Sequence, residues 1–185
     1  ELWYFKLSDR TWNKKNKLPF EFQYAKSFKL NNSIYIITDR KQLWLCDFKN
    51  EEYRKLNNFP AEMDMSLAAS FVVDNTAYLA TLGKTWQYNV QNDSWTEKAP
   101  YRFYFGLYYS CLNGFTYKGN GYIHLGGDIY KYDSSKNIWV LASFYPDRRR
   151  YTSKQTTFTI DGRPYLLTTY DSQSSDTYMF EYHTE

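Results

Sequence analysis

SFKLNNSIYIITDRKQLWLCDFKNEEYRKL, residues 27–56, is the stretch whose reading decides the fold. Residues 26–30 alternate apolar and polar, Asn31-Asn32-Ser33 is a turn signal, and residues 34–38 are rich in β-formers. Residues 42–48 alternate again, and Lys49-Asn50-Glu51 makes a second polar turn ahead of residues 53–56. No segment has helical periodicity, so the stretch predicts four short antiparallel strands joined by tight turns.

The same pattern recurs along the chain. Phe28, Phe71, Phe115 and Phe158 each precede a tyrosine by seven residues, at Tyr35, Tyr78, Tyr122 and Tyr165. A second column runs Trp3, Trp44, Trp86, Tyr130 and Phe180, and nine residues beyond its first four members stand Trp12, Tyr53, Trp95 and Trp139. Pro19, Pro60, Pro100 and Pro146 follow these. A period of roughly 41 to 50 residues marks a propeller or an array, because a four-stranded unit cannot bury its own faces and becomes stable by stacking on its neighbours. The expected fold class is all-β: a β-propeller of four-stranded antiparallel blades. A half blade is expected at 1–19, blades at 20–60, 61–100 and 101–146, and an incomplete blade at 147–185. The sequence opens on a third strand and stops after one, so its ends do not complement each other. An incomplete arc of a six- or seven-bladed ring is expected, with the missing blades elsewhere in the protein or in another chain.

Gly121-Tyr122-Ile123-His124-Leu125-Gly126-Gly127, followed by Ile129-Tyr130-Lys131-Tyr132-Asp133 and Asn137-Ile138-Trp139, resembles the kelch repeat. Trp86-Gln87-Tyr88-Asn89 with Asp93-Ser94-Trp95 repeats it, and the resemblance spans essentially the whole chain. The double glycine occurs once, being replaced elsewhere by Thr38-Asp39, Thr81-Leu82 and Thr168-Thr169. The repeat style is most similar to kelch proteins of the bacterial envelope and surface. That resemblance implies an extracytoplasmic, non-catalytic recognition module that binds a glycan or a protein. The same superfamily also offers a sugar-modifying enzyme such as a sugar-acid epimerase, or a cytoplasmic adaptor.

Charge and composition narrow the classes. With 23 basic and 20 acidic residues the net charge is +3, too balanced to point to nucleic acid. A mean hydropathy of −0.71 and short apolar runs argue against direct membrane insertion by a helix. Two cysteines are too few for a disulfide framework or a zinc site, and Cys46, which shares a column with Phe5, Tyr88, Tyr132 and Tyr182, reads as a buried thiol. Of the two histidines, His124 lies within a core strand and His183 near the C-terminus. No metal-ligand spacing, phosphate loop or nucleophile elbow occurs, so no catalytic residue, metal or cofactor is expected. Glu21, Glu62, Asp64, Asp128, Asp147, Asp171 and Asp176 fall in connections and read as solvated turn formers.

Aromatic residues outside the repeating columns concentrate in the connections from fourth to first strand and from second to third. In an antiparallel blade those two connections emerge on one face. Phe20, Phe22, Tyr24 and Phe59 belong there, and the densest run is Tyr101-Arg102-Phe103-Tyr104-Phe105. Loops on a rigid scaffold carry binding residues, and Tyr with Arg is the composition of recognition surfaces. The expected ligand-binding set is Tyr101, Arg102, Tyr104, Tyr145, Arg148, Arg149, Arg150 and Tyr151, on a common and partly exposed face. The plain alternative is that these residues line the propeller channel.

Overall fold

The computed structural model describes residues 2–101, 112–125, 128–144, 152–170 and 177–183. Every regular element among them is a strand, apart from one 3-10 turn at Met65–Leu67. Strands β1 (Leu2–Lys6) and β2 (Thr11–Lys15) form a hairpin. Three four-stranded sheets follow, each a meander in sequence order. The first holds β3 (Ala25–Leu30), β4 (Ser33–Thr38), β5 (Leu43–Asp47) and β6 (Glu52–Lys55). The second holds β7 (Ala68–Val73), β8 (Thr76–Thr81), β9 (Lys84–Asn89) and β10 (Ser94–Lys98). The third holds β11 (Leu112–Tyr117), β12 (Asn120–Leu125), β13 (Asp128–Asp133) and β14 (Ile138–Phe144). A three-stranded sheet, β15 (Thr152–Ile160), β16 (Arg163–Tyr170) and β17 (Thr177–Glu181), ends the series. The first strands β3, β7, β11 and β15 lie side by side in succession, which is the radial stacking of propeller blades. Among the described residues the two terminal sheets do not pair with each other.

The aromatic columns of the sequence are cross-strand pairs. Two-residue turns in which both residues have positive φ join the first and second strands: Asn31-Asn32, Asp74-Asn75, Lys118-Gly119 and Asp161-Gly162. Such turns match the right-handed twist of the flanking strands and fix the register. The register then sets each Phe opposite the Tyr seven residues on, and the rings stack: Phe28 on Tyr35 at 5.1 Å, Phe71 on Tyr78 at 5.4 Å, Phe115 on Tyr122 at 5.1 Å and Phe158 on Tyr165 at 5.7 Å. Trp12, Tyr53, Trp95 and Trp139 occupy equivalent fourth-strand positions, facing Phe5, Cys46, Tyr88 and Tyr132. Pairs of this kind contribute roughly 0.2–1 kcal/mol each and are repeated in every blade.

Blades meet through these same residues. Tyr88 of the second sheet packs against Phe28 and Tyr35 of the first, and Tyr132 of the third against Phe71 and Tyr78 of the second. Hydroxyls bridge the first strands: Ser70 Oγ donates to the Ser27 carbonyl at 2.8 Å and Thr157 Oγ1 to the Gly114 carbonyl at 3.0 Å. Gly114 stands at the intervening step, and β11 approaches β7 so closely there that a Cβ would lie 2.3 Å from the Ser70 carbonyl oxygen. Thr116 Oγ1 binds both the N–H and the carbonyl of Val72 across the same seam, at 2.8 and 3.0 Å.

A polar staple repeats beside the aromatic contact. The residue that ends each turn between third and fourth strands takes a positive φ and reaches to the preceding blade. Glu51 accepts the Asn16 N–H at 3.3 Å, Asp93 the Asn57 N–H at 2.8 Å, and Asn137 the Ala99 N–H at 2.9 Å. Asp93 and Asn137 also accept from the Tyr88 and Tyr132 hydroxyls, at 2.8 and 2.6 Å. Cys46 is a buried free thiol, and burial raises its pKa to about 11, so it is protonated at neutral pH. His124 is buried within β12.

Candidate functional site

The two kinds of connection assigned to one face do meet there. The Phe59 N–H, just before a fourth-to-first connection turns, donates to the Lys41 carbonyl in a second-to-third loop at 2.8 Å. Tyr101 repeats this one blade later, its N–H donating to the Gly83 carbonyl at 3.0 Å. Each side chain then turns inward onto the sheet that follows the one its N–H bonds to: Phe59 packs edge-on against Trp86 and Trp95, and Tyr101 against Trp139. Tyr101 is 2% exposed and its phenol is raised to about 12 by burial. Tyr101 is therefore a core plug equivalent to Phe59, and not part of the partly exposed face expected for it. Arg102, Tyr104, Tyr145, Arg148, Arg149, Arg150 and Tyr151 lie outside the described residues.

A second described part of the loop face is the connection from β2 to β3 with the loop from β4 to β5. Phe20 is buried and stacks on Trp44 at 4.7 Å, which anchors the connection to the sheet. Beyond this anchor Phe22 stays 44% and Tyr24 57% exposed, although both are large apolar rings. Two bonds to one residue fix the loop: the Asp39 N–H donates to the Tyr24 carbonyl at 3.0 Å, and Asp39 Oδ2 accepts the Gln23 N–H at 3.4 Å. The result is a cleft of about 560 Å³, lined among others by Lys17, Phe20, Glu21, Phe22, Gln23 and Arg40.

Charge around the cleft is mixed. Arg40 Nη2 lies 3.7 Å from Glu21 Oε2, with both groups well exposed. A pair so open to water contributes little to stability, so its guanidinium is available to a ligand at small cost. Lys41 pairs with Glu62 on the neighbouring connection. Chemically the cleft offers flat apolar rings, a guanidinium, an ammonium and an amide side by side. That set can cover apolar C–H surface while bonding hydroxyl, carbonyl or carboxylate oxygens. Among the described residues no group of three or more His, Cys, Asp or Glu side chains comes together as a metal site would require. No described helix is long and apolar enough to cross a membrane.

Phe20, Phe22 and Tyr24 were legible as aromatics surplus to the repeat, and burial separates them into an anchor and two surface rings. Arg40 and Lys17 carried no signal in the sequence, being single basic residues in polar turns; only the fold brings them beside the rings.

No protein-family model and no curated protein matches the chain. The fold is similar to that of a solved structure described as "Structure of YjhT", with a TM-score of 0.64, 13% sequence identity and 88% of this chain covered. The chain spans 65% of the length of that structure. At this identity the likeness speaks for the fold alone, and it places the chain's stacked sheets among β-propellers.

Proposed function

We propose that the chain is a non-catalytic recognition module of kelch-like blades, holding a glycan or a protein partner on its loop face without changing it chemically. The observation that carries this reading is the exposure of Phe22 beside Arg40 and Lys17, with Tyr24 exposed two residues on, on a loop held to the blade by Phe20. Exposed rings with a loosely paired arginine are the composition of binding hot spots. Arg102, Tyr104, Tyr145, Arg148, Arg149, Arg150 and Tyr151 belong by sequence to the corresponding connections of later blades, and the proposed surface extends to them. Tyr101 does not belong to it.

Phe22→Ala and Arg40→Ala variants, screened on a glycan array and in a pull-down, test the reading. Each is expected to weaken binding about thirtyfold, the equivalent of about 2 kcal/mol, with the melting temperature nearly unchanged. A large fall in melting temperature would make these residues structural and remove the support for the proposal.

A further inference from the structure

The outermost strand of the third sheet departs from its counterparts. β6, β10 and β14 are each paired along one edge only. β6 (EYRK) and β10 (SWTEK) carry charged side chains, which keep such an edge solvated. β14 reads IWVLASF and carries none. Its Ile138, Val140, Leu141 and Phe144 are 42–52% exposed. The exposure of Val140 and Leu141 belongs to the blade and not to the shorter sheet that follows it. Register sets Val140 opposite Lys131, as Thr96 stands opposite Gln87 and Arg54 opposite Leu45. Leu141 stands opposite Tyr130, as Glu97 does opposite Trp86 and Lys55 opposite Trp44. Arg54, Lys55, Thr96 and Glu97 are all exposed, although β6 and β10 are each followed by a full four-stranded sheet. These two positions therefore face solvent in all three four-stranded sheets, and only in β14 are both apolar.

We infer that the outer edge of β14 pairs with β14 of a second copy of this chain, antiparallel about a two-fold axis. In such a pair opposed residues share a face of the joined sheet, so the axis passes through a residue. Trp139 packs against Phe71 of the second sheet and Leu141, opposite Tyr130, shares its face, while Val140 lies on the other. Centred on Val140, the pairing sets Val140 against Val140, Trp139 against Leu141, and Ile138 against the small Ala142, the extra residue where the β13–β14 register shifts. An aromatic ring meets an aliphatic chain twice, and no charge is opposed or buried. The same register in β6 would set Arg54 against Arg54, so the self-complementarity belongs to β14 alone of these two. A ladder this short covers less than a standard interface, and the dimer is weak and reversible. It is also closed, because each copy uses up the other's edge. The edge lies on the outer rim, apart from the loop face, and is independent of the recognition function proposed there.

Sedimentation velocity of the protein over a micromolar concentration series reads the association, and a monomer–dimer equilibrium without larger species is expected. Val140→Glu places two carboxylates at the axis and should weaken the dimer about tenfold or more. Its melting temperature should stay nearly unchanged, since the same position holds Arg54 and Thr96 in the other blades. Val140→Lys should weaken the dimer likewise, and an equimolar mixture of the two variants should recover it as a heterodimer. Thr96→Lys, at the corresponding place in β10, should leave the equilibrium of the unaltered protein intact. Leu141→Lys, which installs the residue that β6 carries there, should also lose the dimer and keeps the test open if a Val140 variant folds poorly. A monomer throughout the series, growth beyond the dimer, dimers of undiminished strength in these variants, or a mixture no more dimeric than its components would overturn the inference.

Discussion

Gly114→Ala is expected to cost about 3 kcal/mol or more of stability, a melting temperature lower by roughly 6–12 °C for a domain of this size. The added methyl would meet the Ser70 carbonyl oxygen at 2.3 Å and the Ser70 carbonyl carbon at 3.0 Å. These are backbone atoms of β7, held along its length to β8, and they cannot swing aside as a side chain can. Relief requires β11 to withdraw from β7, and withdrawal would stretch both Thr116–Val72 hydrogen bonds and open the seam where Tyr132 meets Phe71 and Tyr78. Gly162→Ala is the control. It has φ +76° but nothing within 4 Å of the added methyl, so only backbone strain of about 1 kcal/mol is expected. If the two variants melt together, the close approach of β7 and β11 is not what fixes the blade spacing.

Asn137→Ala comes second, with an expected loss of about 3 kcal/mol. The amide oxygen accepts from Tyr132 Oη and from the Ala99 N–H, so its removal strands a hydroxyl and a backbone donor between blades. The unmet hydroxyl of the buried Tyr132 costs about 1–3 kcal/mol, the more exposed Ala99 N–H can turn to water, and alanine tolerates the φ of +54° less well than asparagine does. Asn137→Asp should restore most of the loss, because Asp93 performs the same double acceptance one blade earlier. Thermal unfolding of the two variants side by side checks this. An aspartate as damaging as alanine would mean that the staple does not act through its oxygen.

The architecture was legible because its determinants are large, periodic and local. A phenylalanine and a tyrosine seven residues apart across a two-residue turn are forced into register, and Phe28/Tyr35 and Phe115/Tyr122 announce that in any reading. Polar partners were not legible in the same way. Glu51, Asp93 and Asn137 look like ordinary turn formers, and nothing in a turn's composition says that its last residue reaches the preceding blade. The same blindness misplaced Tyr101. A connection's surplus ring reads as surface, whereas a single backbone bond to Gly83 turns it onto Trp139. Phe59 and Phe20 are buried for related reasons, while Phe22 and Tyr24, two and four residues past Phe20, remain outside. Surplus aromatics therefore mark the face, and burial decides which of them belong to a site.

The loop face as a recognition surface is tested most directly by hydroxyl-radical footprinting, with and without the strongest ligand found on the array or in the pull-down. Oxidation of Phe22 and Tyr24 should slow in the complex, while Trp12, 67% exposed on the terminal hairpin, keeps its rate. The ligand should be recovered unaltered. Unchanged oxidation of Phe22 and Tyr24 in a saturated complex, or recovery of a chemically altered ligand, would contradict the account.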